Sequence, residues 1–495
     1  MCGIWTFIKK KNNLLDYYQN FLKIKHRGPD SSIFTNINNV FIGFHRLSIL
    51  ETSFIGNQPF YLNNSILICN GEIYNYKELI NKYKLDINSN ADCLVILHLY
   101  KKLPEYEFYN VLKNDIKAEY SFIIFDFDDN HNLIKIVASR DHVGVRPLYY
   151  STFEEELIFS SELKGIPELF LENVKEFPCG HLYINDLKNK AIRCIDYTSI
   201  YDTEEIKDDI NNQIINIKNT LIDAVKRRLI VDDNIEIGYY LSGGLDSSIL
   251  CSIASKLQPN KRIKTFSIGL EGSTDLPYAK KVADYINSDH TEIVITENDI
   301  LNVIDKVIYT TCTYDITTIR ASCGQYLISK YINENTNIKV IINGDGSDEV
   351  LGGYLFNYYA PNSLEFHESC KEMVNKIHLF DGRRLDRCLS YFGLEARVPF
   401  LDIDFIKAVW EIPAIYRMPS YKNIEKYLLR KAFEDFLEKD CLYRKKEAFS
   451  DGITSKTKSI SSILEERLKD FPIYDNCPTK ESLSLIHISE PTRPY

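Results

Sequence analysis

Residue 2 of this chain is a cysteine, in the opening string MCGIWTF. Removal of the initiator methionine would place a thiol and a free α-amine on one residue. That is a nucleophile carrying its own base, an amine of pKa about 8. Further along stand HRGPD (26–30), HRLSIL (45–50), NGEIYN (70–75) and NADC (90–93). These residue types suit amide hydrolysis. The Arg46 guanidinium can fork a carboxylate. Glu72 and Asp92 can hold an ammonium group, and the Asn70 side chain with the Gly71 N–H can stabilise an oxyanion. A substrate with a zwitterion at one end and an amide at the other is glutamine. A second-position cysteine alone proves nothing, and a lone arginine is usually a surface residue. Five coordinated features in one order point to one site.

A second chemistry is written in YYLSGGLDSSI (239–249), between an expected strand and an expected helix. Gly243 and Gly244 let the backbone turn tightly and approach a ligand. Ser242, Ser247 and Ser248 offer hydroxyls, and the helix start offers N–H groups and partial positive charge. Together they form an anion cradle suited to pyrophosphate. Asp246 inside such a cradle calls for a cation, and Mg²⁺ takes both carboxylate and phosphate oxygens. No GxxxxGK[ST] pattern occurs. The string resembles the SGGxDS signature of the PP-loop ATP pyrophosphatases, which cleave ATP between its α and β phosphates. NGDGSDEVLGGY (343–354) comes after another strand and sets three carboxylates and four glycines at its C-terminal edge, where open α/β sheets bind ligands. It reads as the second wall of the nucleotide site, with Asp348 as a second Mg²⁺ ligand.

The scaffold must hold two such sites, and 495 residues exceed one core, so two or three domains are expected. Strands are expected over FIGFHRLSIL (41–50), SILICNGEIY (65–74), YSFIIFDF (120–127) and LIKIVASRD (133–141), with a helix over Ala91–Lys101. This predicts an α+β domain of stacked sheets over residues 1–200. The acidic stretch DTEEIKDDINNQ (202–213) marks a boundary. Beyond it IEIGYYL, IKTFSIGL and IKVIING alternate with helical patterns, which predicts a parallel α/β sheet over 201–482. From Ser363 the chain reads mostly helical.

A net charge of −10 and a pI of about 5.6 argue against a nucleic-acid-coating surface. No apolar run approaches the ~18 residues of a membrane span. The stretch Ile4–Ile8 is too short for a signal h-region. The 12 cysteines lack CxxC spacing and form no ligand cluster, which fits a reducing, cytoplasmic setting. The last stretch, LSLIHISEPTRPY (483–495), reads as translated adapter sequence rather than protein.

Taken together the chain resembles the glutamine-hydrolysing asparagine synthetases. The resemblance rests on MCGI, HRGPD, HRLSI, NGEIYN, SRDHVGVRPLYY, KEFPCGHLY, LSGGLDSS, YDITTIRAS, GDGSDE, FGLEARVPFLD and KKEAFSDG. It implies an N-terminal Ntn-hydrolase-type sandwich acting as a class-II glutaminase through a Cys2 thioester, with Asn70 and Gly71 catalytic. Arg46, Leu47, Ser48, Ile49, Leu50, Asn70, Gly71, Glu72 and Asp92 would bind glutamine. Ammonia would pass through an internal channel to a PP-loop domain, where aspartate and ATP give β-aspartyl-AMP. There Leu241, Ser242, Gly243, Gly244, Asp246, Ser247, Ile268, Asn343 and Gly344 would bind the nucleotide. Thr317, Thr318, Arg320 and Lys446 would line the intermediate and pyrophosphate, and Arg397 and Asp402 the aspartate side. Mg²⁺ would sit on Asp246 and Asp348, and a homodimer is implied. The family usually reads SGEG where this chain has NGDG, so Asp345 stands in for a catalytic glutamate with one methylene less; retained chemistry at an altered rate is expected. Family members also continue past PTKES into further helix. Two other readings stay open: an amidotransferase for a different acid acceptor, and a β-lactam-synthetase-like enzyme, a group that typically lacks the N-terminal cysteine.

Overall fold

The computed structural model describes residues 1–9, 15–447, 452–454 and 460–467. The adapter-like tail and the segment around PTKES lie outside the described residues. The chain divides into two compact units, Met1–Thr203 with Ile230–Asn234, and Glu204–Leu229 with the residues from Ile235 on.

Among the described residues the first unit holds twelve strands: β1 (Gly3–Ile8), β2 (Ser31–Ile37), β3 (Val40–Arg46), β4 (Phe60–Leu62), β5 (Ser65–Ile73), β6 (Ala118–Phe127), β7 (Leu133–Arg140), β8 (Tyr149–Phe153), β9 (Glu156–Ser160), β10 (Lys175–Glu176), β11 (His181–Asp186) and β12 (Ala191–Asp196). They form two six-stranded sheets, ordered β10-β8-β9-β1-β3-β2 and β12-β11-β7-β6-β5-β4. All the pairings are antiparallel.

Successive side chains of a strand alternate between faces, and here both faces are covered. Ile4, Ile42 and Phe44 of one sheet meet Ile66, Ile68, Ile123 and Phe125 of the other between the layers. The alternate residues Trp5, Phe7 and Phe41 point outward against Phe21, Ile24 and Phe170. On the far side, Leu67, Cys69, Phe122 and Ile124 are covered by Leu79, Val95, Ile96 and Leu99, from the helices Tyr76–Tyr83 and Leu94–Lys102. Double coverage is why these strands read as continuous apolar runs, and the result is the expected α+β sandwich of stacked sheets. The strand expected over 41–50 stops at Arg46, where the chain leaves the sheet.

Among its described residues the second unit is built on five parallel strands: β13 (Glu236–Tyr240), β14 (Lys264–Leu270), β15 (Asp289–Ile295), β16 (Ile338–Ile342) and β17 (Glu395–Arg397). Their order is β15-β14-β13-β16-β17. Two of them are not evident from the sequence. β15 is an edge strand with a largely exposed polar face, and β17 is three residues long within a helical stretch. The order reverses direction at β13, so the crevice between the C-terminal ends of β13 and β16 is the topological switch point. The loops 241–247 and 343–348 leave the sheet there.

Candidate functional site

Cys2 lies half-buried just before β1. Its carbonyl oxygen accepts from Arg27 Nε at 2.9 Å, and its thiol points at the Leu47 carbonyl at 3.8 Å. Arg27 is fully buried and paired with Glu162 at 2.8 Å. Glu162 also meets His26 at 3.1 Å and Lys164 at 2.9 Å. HRGPD is therefore an anchor for the backbone of Cys2 and for the neighbouring loop. A Cβ on Gly28 would fall 2.3 Å from the His45 carbonyl, so only glycine allows the approach. The Asp30 N–H donates to Arg46 O at 3.0 Å, and Asp30 Oδ2 accepts from the Ser48 N–H at 2.7 Å. These bonds tie Arg46 and Ser48, on either side of Leu47, to Asp30, and Ile49 is buried just beyond.

Asn70 and Gly71 lie on β5 opposite Ser121 and Tyr120. Both polar atoms of the Asn70 side chain are buried, and neither has a hydrogen-bond partner. A buried amide left unpaired costs about 1–3 kcal/mol per group; it is accounted for where a ligand completes it. Gly71 is pressed on β6, where a Cβ would meet Glu119 O at 2.3 Å. Behind it the Cys93 thiol donates to the Gly71 carbonyl at 3.4 Å, and Asp92 Oδ2 accepts from the Ile73 N–H at 2.6 Å. A hydrogen bond with Cys69, then burial, push the Cys93 thiol far above its ordinary range, so it stays a donor. Glu72 is buried on the same strand.

Arg46 departs from expectation. Its Nη1 donates to Ser53 O at 2.7 Å and Asn57 Oδ1 at 2.8 Å, and its Nη2 to the carbonyls of Leu50 and Glu51. The loop 50–57 turns its carbonyls inward and needs a fork of donors, so Arg46 orders this loop and does not present an open fork.

In the second unit the phosphate loop is held by its own hydroxyls. Ser242 Oγ and Ser247 Oγ lie 3.1 Å apart, and the Gly244 N–H donates to Ser242 Oγ at 3.3 Å. Gly243 has φ 74°, and a Cβ there would strike Ala279 N at 2.4 Å. The helix Leu245–Leu257 starts at Gly244 without a side-chain cap, which leaves first-turn N–H groups for an anion. Ser248 Oγ is buried and unpartnered. Leu241 and Ile268 are buried on the adjoining strand ends.

The second loop closes directly on the first. A Cβ on Gly344 would lie 3.1 Å from Ser247 N, and Ser347 Oγ donates to Asp246 Oδ1 at 2.7 Å. Asn343 Oδ1 accepts from the Asp345 N–H at 2.8 Å. Asp246 and Asp348 converge on one ammonium group, that of Lys426. It lies 2.7 Å from Asp246 Oδ2 and 2.6 Å from Asp348 Oδ1. Lys446 pairs with the other Asp348 oxygen. Burial by itself would raise the Asp348 carboxyl, but the two lysines outweigh it and hold it well below the usual carboxylate range. Two carboxylates that share one cation are a fitting donor set for Mg²⁺.

Asp345 is positioned by Arg384, whose Nη2 lies 3.2 Å from Asp345 Oδ2 while its Nη1 holds Asp381 at 2.6 Å and its Nε holds Gln325 at 3.1 Å. Burial raises the Asp345 carboxyl, with Arg384 opposing.

The remaining expected residues are placed differently. Thr317 is exposed and Thr318 buried in the first turn of the helix Ile316–Asn335, where Asp315 accepts from the Thr318 N–H at 2.8 Å. Arg320 Nη2 donates to Ser461 Oγ at 2.9 Å. Arg397 and Asp402 are not side chains of an open pocket. Arg397 Nη1 donates to Arg228 O at 2.8 Å, and Asp402 pairs with Arg227 and Arg228 at 2.7 and 2.8 Å. They clamp the helix Ile210–Arg228 against the turn after β17, and support the crevice from behind: the Asn343 N–H donates to Arg397 O at 3.1 Å.

Sequence reasoning missed Lys426, Arg384, Glu162, Arg27 and Cys93. Of these, Cys93, inside NADC, and Arg27, inside HRGPD, sat in strings already singled out. Lys426 and Arg384 carry no local signal.

The asparagine synthase family model matches residues 216–369 and 360–481, and the glutamine amidotransferase domain model matches residues 1–176. A protein of Acanthamoeba polyphaga mimivirus named "Probable asparagine synthetase (glutamine-hydrolyzing)" is 40% identical over 503 residues, 95% of this chain and 89% of its own. The asparagine synthetases of Mus musculus and Homo sapiens are 39% and 38% identical over 500 residues, each match covering 94% of this chain and 87% of theirs. With these matches spanning both units and both sets of loops, the chain belongs to the asparagine synthase family and carries a glutamine amidotransferase domain at its N-terminal end.

Proposed function

We propose that this chain makes asparagine from aspartate, glutamine and ATP, releasing glutamate, AMP and pyrophosphate. The observation that carries the reading is the β13/β16 crevice, where the loops 241–247 and 343–348 bring Asp246 and Asp348 onto one cation.

In the glutaminase unit, removal of Met1 frees the Cys2 α-amine to take the thiol proton. The thiolate attacks the glutamine carboxamide, and the unpartnered Asn70 amide with the Gly71 N–H stabilises the oxyanion. The α-ammonium returns its proton to the departing nitrogen, ammonia leaves, and water then releases glutamate from the thioester. Glu72 and Asp92 supply negative charge for the substrate ammonium, and Leu47, Ser48, Ile49 and Leu50 line the substrate.

In the synthetase unit, the aspartate side-chain carboxylate attacks the α-phosphorus of ATP and pyrophosphate departs. Ser242, Gly243, Gly244, Asp246 and Ser247, with Asn343 and Gly344, cradle the phosphates, and Lys446 offsets the departing charge. Asp246 and Asp348 would hold Mg²⁺, which neutralises phosphate charge when bound. Ammonia attacks the activated carbonyl, Asp345 takes the surplus proton, and AMP leaves. Its raised carboxyl beside Arg384 suits that exchange.

The test is mass spectrometry of the products from glutamine, aspartate and ATP, with and without Mg²⁺. Asparagine together with AMP is expected, only with the metal. ADP in place of AMP, or turnover that ignores aspartate, sinks the reading and favours another acceptor acid. A cytoplasmic homodimer belongs to the same proposal, and light scattering on the purified chain checks its oligomeric part. No helix among the described residues is long and apolar enough to cross a membrane.

A further inference from the structure

Lys426 is the group at the crevice that no motif names. Its side chain is 1% exposed, and its Nζ lies 2.8 and 2.7 Å from the two oxygens of Asp246 and 2.6 Å from Asp348 Oδ1. Its backbone is left-handed, with φ 55°, a conformation that costs a residue with a long side chain. Gly353 admits the chain of methylenes: a Cβ there would fall 2.1 Å from Lys426 Cε and 2.1 Å from Asp348 Oδ1. An ammonium is thus threaded past a glycine, at some backbone strain, onto the very oxygens a divalent cation needs.

The charges decide what can replace it. Asp246 and Asp348 carry two negative charges, and Lys426 and Lys446 two positive ones. The set is neutral as it stands. A bare divalent cation entering between the carboxylates meets no net attraction and two ammonium groups in contact with its ligands. A cation that arrives on a triphosphate brings its own negative charge and offers the displaced ammonium a phosphate oxygen to pair with.

We propose that Lys426 is a resident place-holder for the divalent cation: it occupies the position between Asp246 and Asp348 until nucleotide arrives, so that metal enters this site only as its nucleotide complex. The proposal rests on the reading of the crevice as an ATP and Mg²⁺ site.

Equilibrium dialysis of the full chain against Mn²⁺ tests it, with and without α,β-methylene-ATP. The wild-type chain is expected to hold Mn²⁺ at least tenfold more tightly with the nucleotide than without it. Lys426→Met is expected to bind Mn²⁺ alone at least tenfold more tightly than wild type, and Mn²⁺ alone is expected to raise the melting temperature of the variant but not of the wild type. Met at 426 leaves two carboxylates sharing one lysine and can cost the fold, so the wild-type measurement also decides by itself. Equal Mn²⁺ affinity with and without nucleotide overturns the place-holder. If that result comes with nucleotide binding and asparagine formation intact, only the place-holder falls; if no nucleotide binds under any condition, the nucleotide reading of the crevice falls with it.

Discussion

Arg27 donates from Nε to the carbonyl oxygen of Cys2 at 2.9 Å while its Nη1 is held by the buried Glu162 at 2.8 Å. The backbone of the proposed nucleophile is thereby tied to an ion pair that spans 135 residues of sequence. Arg27→Met removes both bonds. Breaking one side of a buried pair costs about 3–5 kcal/mol, so a lower unfolding midpoint is expected in chemical denaturation. In the protein that remains folded, glutamine hydrolysis is expected to fall at least tenfold, read as glutamate release.

Cys2→Ala is expected to abolish glutamine-supported asparagine synthesis and to leave ammonia-supported synthesis in place, because the two chemistries sit in separate units. Steady-state rates with each nitrogen source check this. Loss of both activities together would refute the two-site division.

Asn70→Ala separates function from stability. The amide makes no hydrogen bond within the protein, so its removal relieves a buried unpaired group, and stability is expected to hold or rise. Loss of an oxyanion donor costs on the order of 10²-fold in kcat. A melting curve and a glutaminase assay on the same sample give both readings.

Asp345→Asn keeps the size of the side chain and its place near Arg384 but removes the base. Synthesis is expected to fall at least tenfold with either nitrogen source, and glutamine hydrolysis to continue. Unchanged synthesis would remove Asp345 from the chemistry.

Stability should depend on pH through buried histidines. Burial pushes His45 and His367 each down to about 4, and their unfolded value is about 6.5. A depressed folded pKa means that the unfolded chain binds protons the fold refuses. The stability contributed by neutral His45 and His367 is therefore complete above pH about 6.5 and is lost as pH falls toward 4. Denaturant midpoints between pH 7 and pH 4 are expected to decline, and His45→Gln to flatten the slope. His45 is bonded on both ring nitrogens, to Phe21 O at 2.9 Å and Ser32 Oγ at 2.7 Å; the Phe21 bond favours the protonated ring, and burial outweighs it.

Much of this protein is local in character and was legible in the chain. Strands buried on both faces advertise themselves as apolar runs, as β5 and β6 do. Loops that must turn on glycine and bind anions, such as 241–247, carry their chemistry in adjacent residues. Edge strand β15 and three-residue β17 gave no such signal, because a half-exposed strand dilutes its pattern and a short one has none.

The sequence alone determined which residue types are available for two chemistries and which strands carry them. The tertiary structure decided which of those side chains are engaged elsewhere. Arg46 is drawn to loop carbonyls and Asp402 to two arginines, while Lys426, Arg384 and Glu162 arrive from distant segments to neutralise or aim Asp246, Asp348 and Asp345 and, through Arg27, the backbone of Cys2. The reason is physical: charge partners inside a protein are chosen by distance in space, and no local spacing encodes which lysine will end up between two aspartates 102 residues apart.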